Sequence, residues 1–151
     1  MESFLPVFQR KIEITTPFIE SYGFLFREIY DRKNIDKLTS KNCTEYHDAE
    51  FERECESVSI QFSYGKDNKL VVSFSYFNSK MTLDFFLNYY AKDHNLPILA
   101  EVPIIHSHKE GEMFMNKFFD ELKKLLETTL MAKINDGTID NHYYRFHDQF
   151  R

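Results

Sequence analysis

Alternation of apolar and polar side chains over residues 57–77 is the feature that most constrains the fold of this chain. Two runs, 57–64 and 69–77, alternate apolar residues mainly with serine, and they flank the short segment Gly65-Lys66-Asp67-Asn68. Because successive side chains of a strand point to opposite faces, this pattern predicts a two-stranded antiparallel hairpin. One face is apolar and the other is largely polar and available to water or to a partner. The side chains expected to face the helices are Val58, Ile60, Phe62, Leu70, Val72 and Phe74.

Two longer segments have the periodicity of amphipathic helices. In residues 3–22 the apolar positions recur every three or four residues, which predicts an N-terminal helix that Gly23 ends. Pro17 predicts either a kink or a division into two short helices, because proline lacks the N–H for one helical hydrogen bond. Residues 110–135 predict the longest helix, closed by Gly137. Its expected buried stripe comprises Met115, Phe118, Phe119, Leu122, Leu125, Leu126 and Met131.

The remaining segments complete a simple order of elements. Strands are predicted at residues 24–30 and near 44–53, and Thr82 is predicted to cap a helix through residue 92. Residues 98–105 are predicted to be extended, and the helical spacing in residues 138–151 predicts a docked tail. The predicted fold is α+β, an antiparallel meander of about four strands packed by N-terminal and C-terminal helices. At 151 residues, the chain 1–151 is expected to be a single domain.

Charge and composition narrow the classes of function. The chain has 19 basic and 24 acidic side chains, a net charge of −5, which argues against nucleic acid or an anionic membrane as partner. No apolar run is long enough to span a membrane, and the opening MESFLPVFQR lacks the apolar core of a secretory signal. Cys43 and Cys55 lack a metal-type spacing and are expected to be reduced thiols. We therefore expect a cytoplasmic protein.

A row of acidic residues is the strongest candidate for a binding site. Carboxylates occupy every second position over residues 48–56, and on one extended strand all of them would lie on the same face. Solvation by water and salt would explain such a row, and so would a basic protein partner that pairs with it. The candidate partner-binding residues are Asp48, Glu50, Glu52, Glu54 and Glu56.

Histidine and cysteine patterns offer weaker alternatives. His106 and His108, followed by Glu110 and Glu112, have the residue types of a metal site but lack a third ligand at a defined spacing, and the glutamates suit the start of the long helix. No metal or other cofactor is therefore expected. An enzyme that uses the His106/His108 region remains an alternative.

A nucleophilic site is the next possibility, since Cys43 is followed by His47 and Asp48. Such a catalyst needs these groups to converge in space, and the chain has no glycine-rich phosphate loop or nucleophile elbow. The aromatic residues of the hairpin could stack on bases, but the basic rim that nucleic acid requires is missing. We therefore expect no enzymatic activity.

The layout of residues 4–77 resembles that of small bacterial immunity proteins, which protect cells from toxins of contact-dependent and secretion-system killing. The similarity lies in an amphipathic helix that ends in Tyr22-Gly23-Phe24, a strand, an acidic stretch and the hairpin ESVSIQFSYGKDNKLVVSFSYF. The resemblance implies a single acidic domain without catalytic activity that occludes an active site or another essential surface of a cognate toxin. A homodimeric adaptor that pairs through an exposed sheet edge is the second alternative.

Overall fold

The computed structural model describes residues 2–30, 43–78, 81–83, 91 and 94–137. It confirms the α+β class, with an antiparallel sheet packed by an N-terminal helix and a C-terminal helix. The elements are α1 (Leu5–Glu20), β1 (Leu25–Tyr30), β2 (Cys43–Arg53), β3 (Glu56–Gly65), β4 (Leu70–Asn78), β5 (Met81–Leu83), a 3₁₀ turn (Pro97–Ala100), α2 (His108–Leu125), a π-helical segment (Leu126–Leu130) and α3 (Met131–Asp136).

The sheet is a meander with the strand order β1-β2-β3-β4-β5, and all four pairings are antiparallel. In the predicted hairpin, Ile60 lies opposite Phe74 and Phe62 lies opposite Val72. We call the face of the sheet that packs against the helices the inner face and the opposite one the outer face. All six hairpin side chains expected to face the helices are at most 6% exposed, so this prediction is confirmed.

Helix α1 is a single helix that continues through Pro17. Ile12 and Ile19, on either side of the proline, are 1% and 0% exposed. Burial of this stripe offsets the hydrogen bond that Pro17 cannot make, because tertiary packing supplies most of the stability of a short helix. The chain then turns at Gly23, where φ is +92°, as predicted.

The C-terminal helix is interrupted by one wider turn. The predicted helix over residues 110–135 is α2, the π-helical segment and α3 in succession, and it ends at Gly137 with φ +82°. The predicted stripe is buried throughout, and Leu130 and Ile134 extend it. Ser107 accepts a hydrogen bond from the backbone N–H of Glu110 and so caps α2.

Two local predictions are wrong. Thr82 lies inside β5 rather than at the start of a helix, because Met81–Leu83 pairs with the end of β4. The segment Pro97–Ala100 is a 3₁₀ turn rather than extended, and only Ile104 forms a sheet bridge, to Lys69. The predicted turn at residues 31–34, the helix interior at 84–90 and the tail at 138–151 lie outside the described residues.

Aromatic rings fill the space between α1, α2 and the sheet. Phe4 and Phe8 lie with their ring centroids 5.4 and 6.0 Å from that of Phe62, and Phe8 also contacts Phe119 of α2. The hairpin aromatics are therefore part of the core, as expected, and are not available to stack on bases. Within the described part of the chain, no helix combines the length and apolar character needed to cross a membrane.

Candidate functional site

The acidic row does not form one line of five carboxylates. Asp48, Glu50 and Glu52 alternate on the outer face of β2, but the strand ends at Arg53. Glu54 lies in the turn between β2 and β3 with φ +49°, a left-handed conformation. The sequence does not indicate this turn, because the left-handed residue is a glutamate rather than a glycine. Because the chain reverses at this turn, the regular spacing of the sequence is lost after Glu52.

Glu56 lies on the face opposite to the one predicted. It pairs across the sheet with Arg53, on the inner side, and its carboxylate bonds Arg53 at 2.7 Å and accepts from the Tyr76 hydroxyl at 2.6 Å. Arg53 also donates to the Tyr22 carbonyl and lies 4.3 Å from the centroid of the Phe24 ring. Glu56 therefore holds Arg53 in place at the edge of the core and is not part of an exposed row of carboxylates.

Burial removes a second member of the row. Asp48 is only 1% exposed, while Glu50 is half-buried and Glu52 and Glu54 are exposed. The polar face of the hairpin is similarly closed near its centre, because Ser59 and Ser75 are 4% and 2% exposed. The accessible carboxylates of the outer face are therefore confined to the β1–β2 side of the sheet and do not extend over β3 and β4.

Strand β1 adds a carboxylate that the sequence analysis missed. Glu28 is exposed and lies directly opposite Glu50 in the β1–β2 pairing, and Arg27 forms an exposed ion pair with Glu52 at 3.4 Å. A hydrogen bond to the Glu28 carboxylate raises the pKa of Tyr30 above its usual range. We call Glu28, Glu50, Glu52 and Glu54 the acidic strip.

Strand β1 also forms one edge of the sheet. Its side chains Leu25 and Phe26 are 63% and 40% exposed, and within the described ranges only β2 pairs with it. An open groove of about 640 Å³ runs between β1 and α1, with Ile12, Phe26 and Ile29 among its apolar lining. An edge with exposed apolar side chains is a ready template for another strand.

A partly buried carboxylate, that of Glu45, connects β2 to the start of α1. The Glu45 carboxylate accepts hydrogen bonds from the backbone N–H of Phe4 at 2.8 Å, from the Ser3 hydroxyl at 3.0 Å and from His47 Nε2 at 2.5 Å. Burial opposes ionisation of Glu45, but these hydrogen bonds outweigh it and lower its pKa below the usual range. Glu45 thus caps a helix whose own cap residue, Phe4, has no side-chain acceptor.

The His47 ring lies against both Phe8 and Phe62, with ring centroids 5.8 and 5.7 Å away, and the residue is 4% exposed. Its Nε2 bonds Glu45, while the Cys43 thiol donates to the Glu45 carbonyl at 3.0 Å. The side chains of the suggested Cys43–His47 pair therefore contact different groups of Glu45. Both occupy structural positions at the start of β2.

The two histidines of the candidate metal site lie in different environments. His106 is exposed, whereas His108 stacks on Phe4 with ring centroids 4.7 Å apart and its Nε2 lies 3.2 Å from the Ser3 carbonyl. Glu110 accepts from the backbone N–H of His106, as a residue in the first helical turn does. Among the described residues, no group of three or more potential ligand side chains could hold a metal ion.

Comparison with known proteins gives no family for this chain: no family model, no curated protein and no solved structure matches it significantly.

Proposed function

We propose that this protein is a non-enzymatic binding protein, an immunity protein that masks a cognate toxin by binding a basic surface of it through the acidic strip. The observation that carries the proposal is the pairing of Glu28 directly opposite Glu50, beside the exposed Glu52. Like charges directly opposite each other on neighbouring strands destabilise a sheet by up to about 1 kcal/mol. A surface that concentrates them is suited to a cationic partner.

The acidic strip differs from the predicted row in its members, and its carboxylates come from two strands instead of one. Asp48 and Glu56 are removed from it by burial and by the contact with Arg53, and Glu28 is added from the neighbouring strand. Carboxylates on two adjacent strands can bind the planar guanidinium group of an arginine from more than one side. The exposed side chain of Leu25 supplies an apolar contact next to them.

The test is a calorimetric titration with the product of the gene directly upstream as the candidate toxin. We expect 1:1 binding that weakens as salt rises, because screening beyond about 8–10 Å removes long-range attraction. The variant Glu50→Lys/Glu52→Lys should lose about 2–5 kcal/mol of binding free energy if these residues lie at the centre of the interface. Because Glu50 is half-buried and Glu52 pairs with Arg27, a circular dichroism spectrum and a thermal melt must show that this variant is folded before its affinity is compared.

The matched control is Asp120→Lys/Glu127→Lys, which makes the same change in net charge at two exposed carboxylates of the C-terminal helical region that do not line the groove beside β1. This control should bind the toxin as the wild type does and should still protect cells that express the toxin. Equal loss of affinity in both variants would mean that net charge alone matters. Unchanged affinity in Glu50→Lys/Glu52→Lys would remove the acidic strip from the mechanism.

A further inference from the structure

We propose that two copies of this chain pair through β1, edge to edge and antiparallel, to form one continuous sheet across a twofold axis. The strand Leu25–Tyr30 has the sequence LFREIY, which is complementary to itself when reversed. In the register centred between Arg27 and Glu28, Arg27 lies opposite Glu28 of the second copy. Phe26 then lies opposite Ile29, and Leu25 lies opposite Tyr30.

The bulge in β1 makes this register possible. Antiparallel partners must lie on the same face, but in a regular strand residues an odd number apart lie on opposite faces. The β1–β2 pairing shifts between Phe26 and Glu28, so that Phe26 and Ile29 both face inward, opposite Phe51 and Ala49.

The same shift places the other two pairs on the outer face. Leu25 and Tyr30 lie opposite Glu52 and Asp48, two outer residues of β2. Arg27 reaches Glu52 on that face, where Glu28 also lies. All three pairs of the twofold register therefore match in face as well as in chemistry.

Charge and a bulge on an edge strand usually prevent pairing between copies. Here the two charges are of opposite sign and adjacent, so a twofold axis between them creates two Arg–Glu pairs instead of a repulsion. The inner side of the contact would extend the apolar wall of the groove beside Ile12. A contact built on two six-residue strands is smaller than a standard interface, so we expect a dimer with a micromolar dissociation constant.

The second copy is a better occupant than a strand of another protein because the contacts are reciprocal: each side chain of β1 lies opposite a complementary side chain of the same strand in the other copy. The inference does not depend on the toxin. The pairing uses Glu28 but leaves Glu50, Glu52 and Glu54 of both copies on one enlarged outer face.

Sedimentation velocity of the full chain over a range of concentrations tests the proposal. We expect a monomer–dimer equilibrium that Arg27→Glu and Glu28→Arg each weaken by about tenfold, since each replaces two attractive cross-strand pairs with repulsive ones. The double variant Arg27→Glu/Glu28→Arg should restore dimerisation, because it reverses both pairs. Ile14→Gln, at another exposed apolar position, 58% exposed on α1, is the control and should dimerise normally.

Circular dichroism spectra and thermal melts of every variant will show whether it is folded. A chain that stays monomeric up to millimolar concentration overturns the proposal. A dimer that the two single variants do not weaken, or that the double variant does not restore, places the interface elsewhere and overturns it as well.

Discussion

Replacing Gly111 by alanine should destabilise the protein, although alanine is the better helix former. Gly111 lies in the first turn of α2, and an added Cβ would lie 2.5 and 2.6 Å from Cε1 and Cζ of Phe4 and 2.7 Å from Cδ1 of Ile105. Carbon atoms in good contact are about 3.5–4.0 Å apart, so a neighbour would have to move by about 1 Å.

The Phe4 ring has little freedom to make that movement. It is fully buried, and its centroid lies 5.4 Å from that of Phe62, 5.7 Å from that of Tyr64 and 4.7 Å from that of His108. Overpacking costs about 1–3 kcal/mol, and because all three new contacts are shorter than 3.0 Å we take the upper part of this range, about 2–3 kcal/mol, against a gain of about 1 kcal/mol in helix propensity. We expect a net loss of about 1–2 kcal/mol in the free energy of unfolding, which lowers Tm by about 2–8 °C.

Urea denaturation and thermal melting of wild type, Gly111→Ala, Phe4→Leu and the double variant measure this effect. Leucine lacks the two outer ring carbons that the new methyl group would meet, so Gly111→Ala should cost much less in the Phe4→Leu background. The difference is the coupling energy of the contact. A Gly111→Ala protein as stable as the wild type, or more stable, would refute the reasoning.

Three further substitutions test the core and the cap of α1. Phe74→Ala should cost about 3–5 kcal/mol of unfolding free energy by opening a cavity under the helices, and a cost below 1 kcal/mol in urea denaturation would contradict its place in the core. Leu122→Asp puts an unpaired charge at a fully buried position of α2 and should prevent folding, so a cooperatively melting variant would count against this packing. Glu45→Gln should cost about 1–2 kcal/mol at neutral pH. Because the folded-state pKa of Glu45 is lowered, its contribution is present above about pH 4.5 and is lost as the pH falls through the folded pKa. The difference in stability between wild type and Glu45→Gln should therefore shrink in acid, whereas Glu13→Gln, at an exposed position, should show no such difference.

The sequence alone predicted the hairpin and the long C-terminal helix, whereas it left open whether Pro17 divides the N-terminal helix, which the structure shows as one helix. In both cases the pattern is local: alternation with a period of two over residues 57–77, and an apolar stripe with a helical period over residues 110–135. Such patterns survive folding because the apolar face must be buried wherever the element lies. Gly23 and Gly137 were also predictable, since a left-handed residue after a helix favours glycine.

The acidic row shows where a local sequence pattern no longer predicts which face of the sheet a side chain occupies. Its regular spacing continues past the end of β2, but a turn at Glu54 reverses the chain and moves Glu56 to the inner face, beside Arg53. No sequence pattern predicts a left-handed turn at a glutamate. The contacts of Arg53 with Tyr22 and Phe24 join residues that are distant in sequence, so they form only when the sheet packs. The burial of Asp48 is likewise a property of the folded outer face.

The edge position of β1 was decided by the tertiary structure as well. The sequence predicted a strand at residues 24–30 but not that it would end the sheet, that it would carry a bulge or that Glu28 would lie opposite Glu50. A strand's own residues encode its two faces, whereas its neighbours, its register and its exposed edge depend on which other strands pair with it. The self-complementarity of LFREIY therefore matters only because the fold places this strand at the edge of the sheet with a bulge in it.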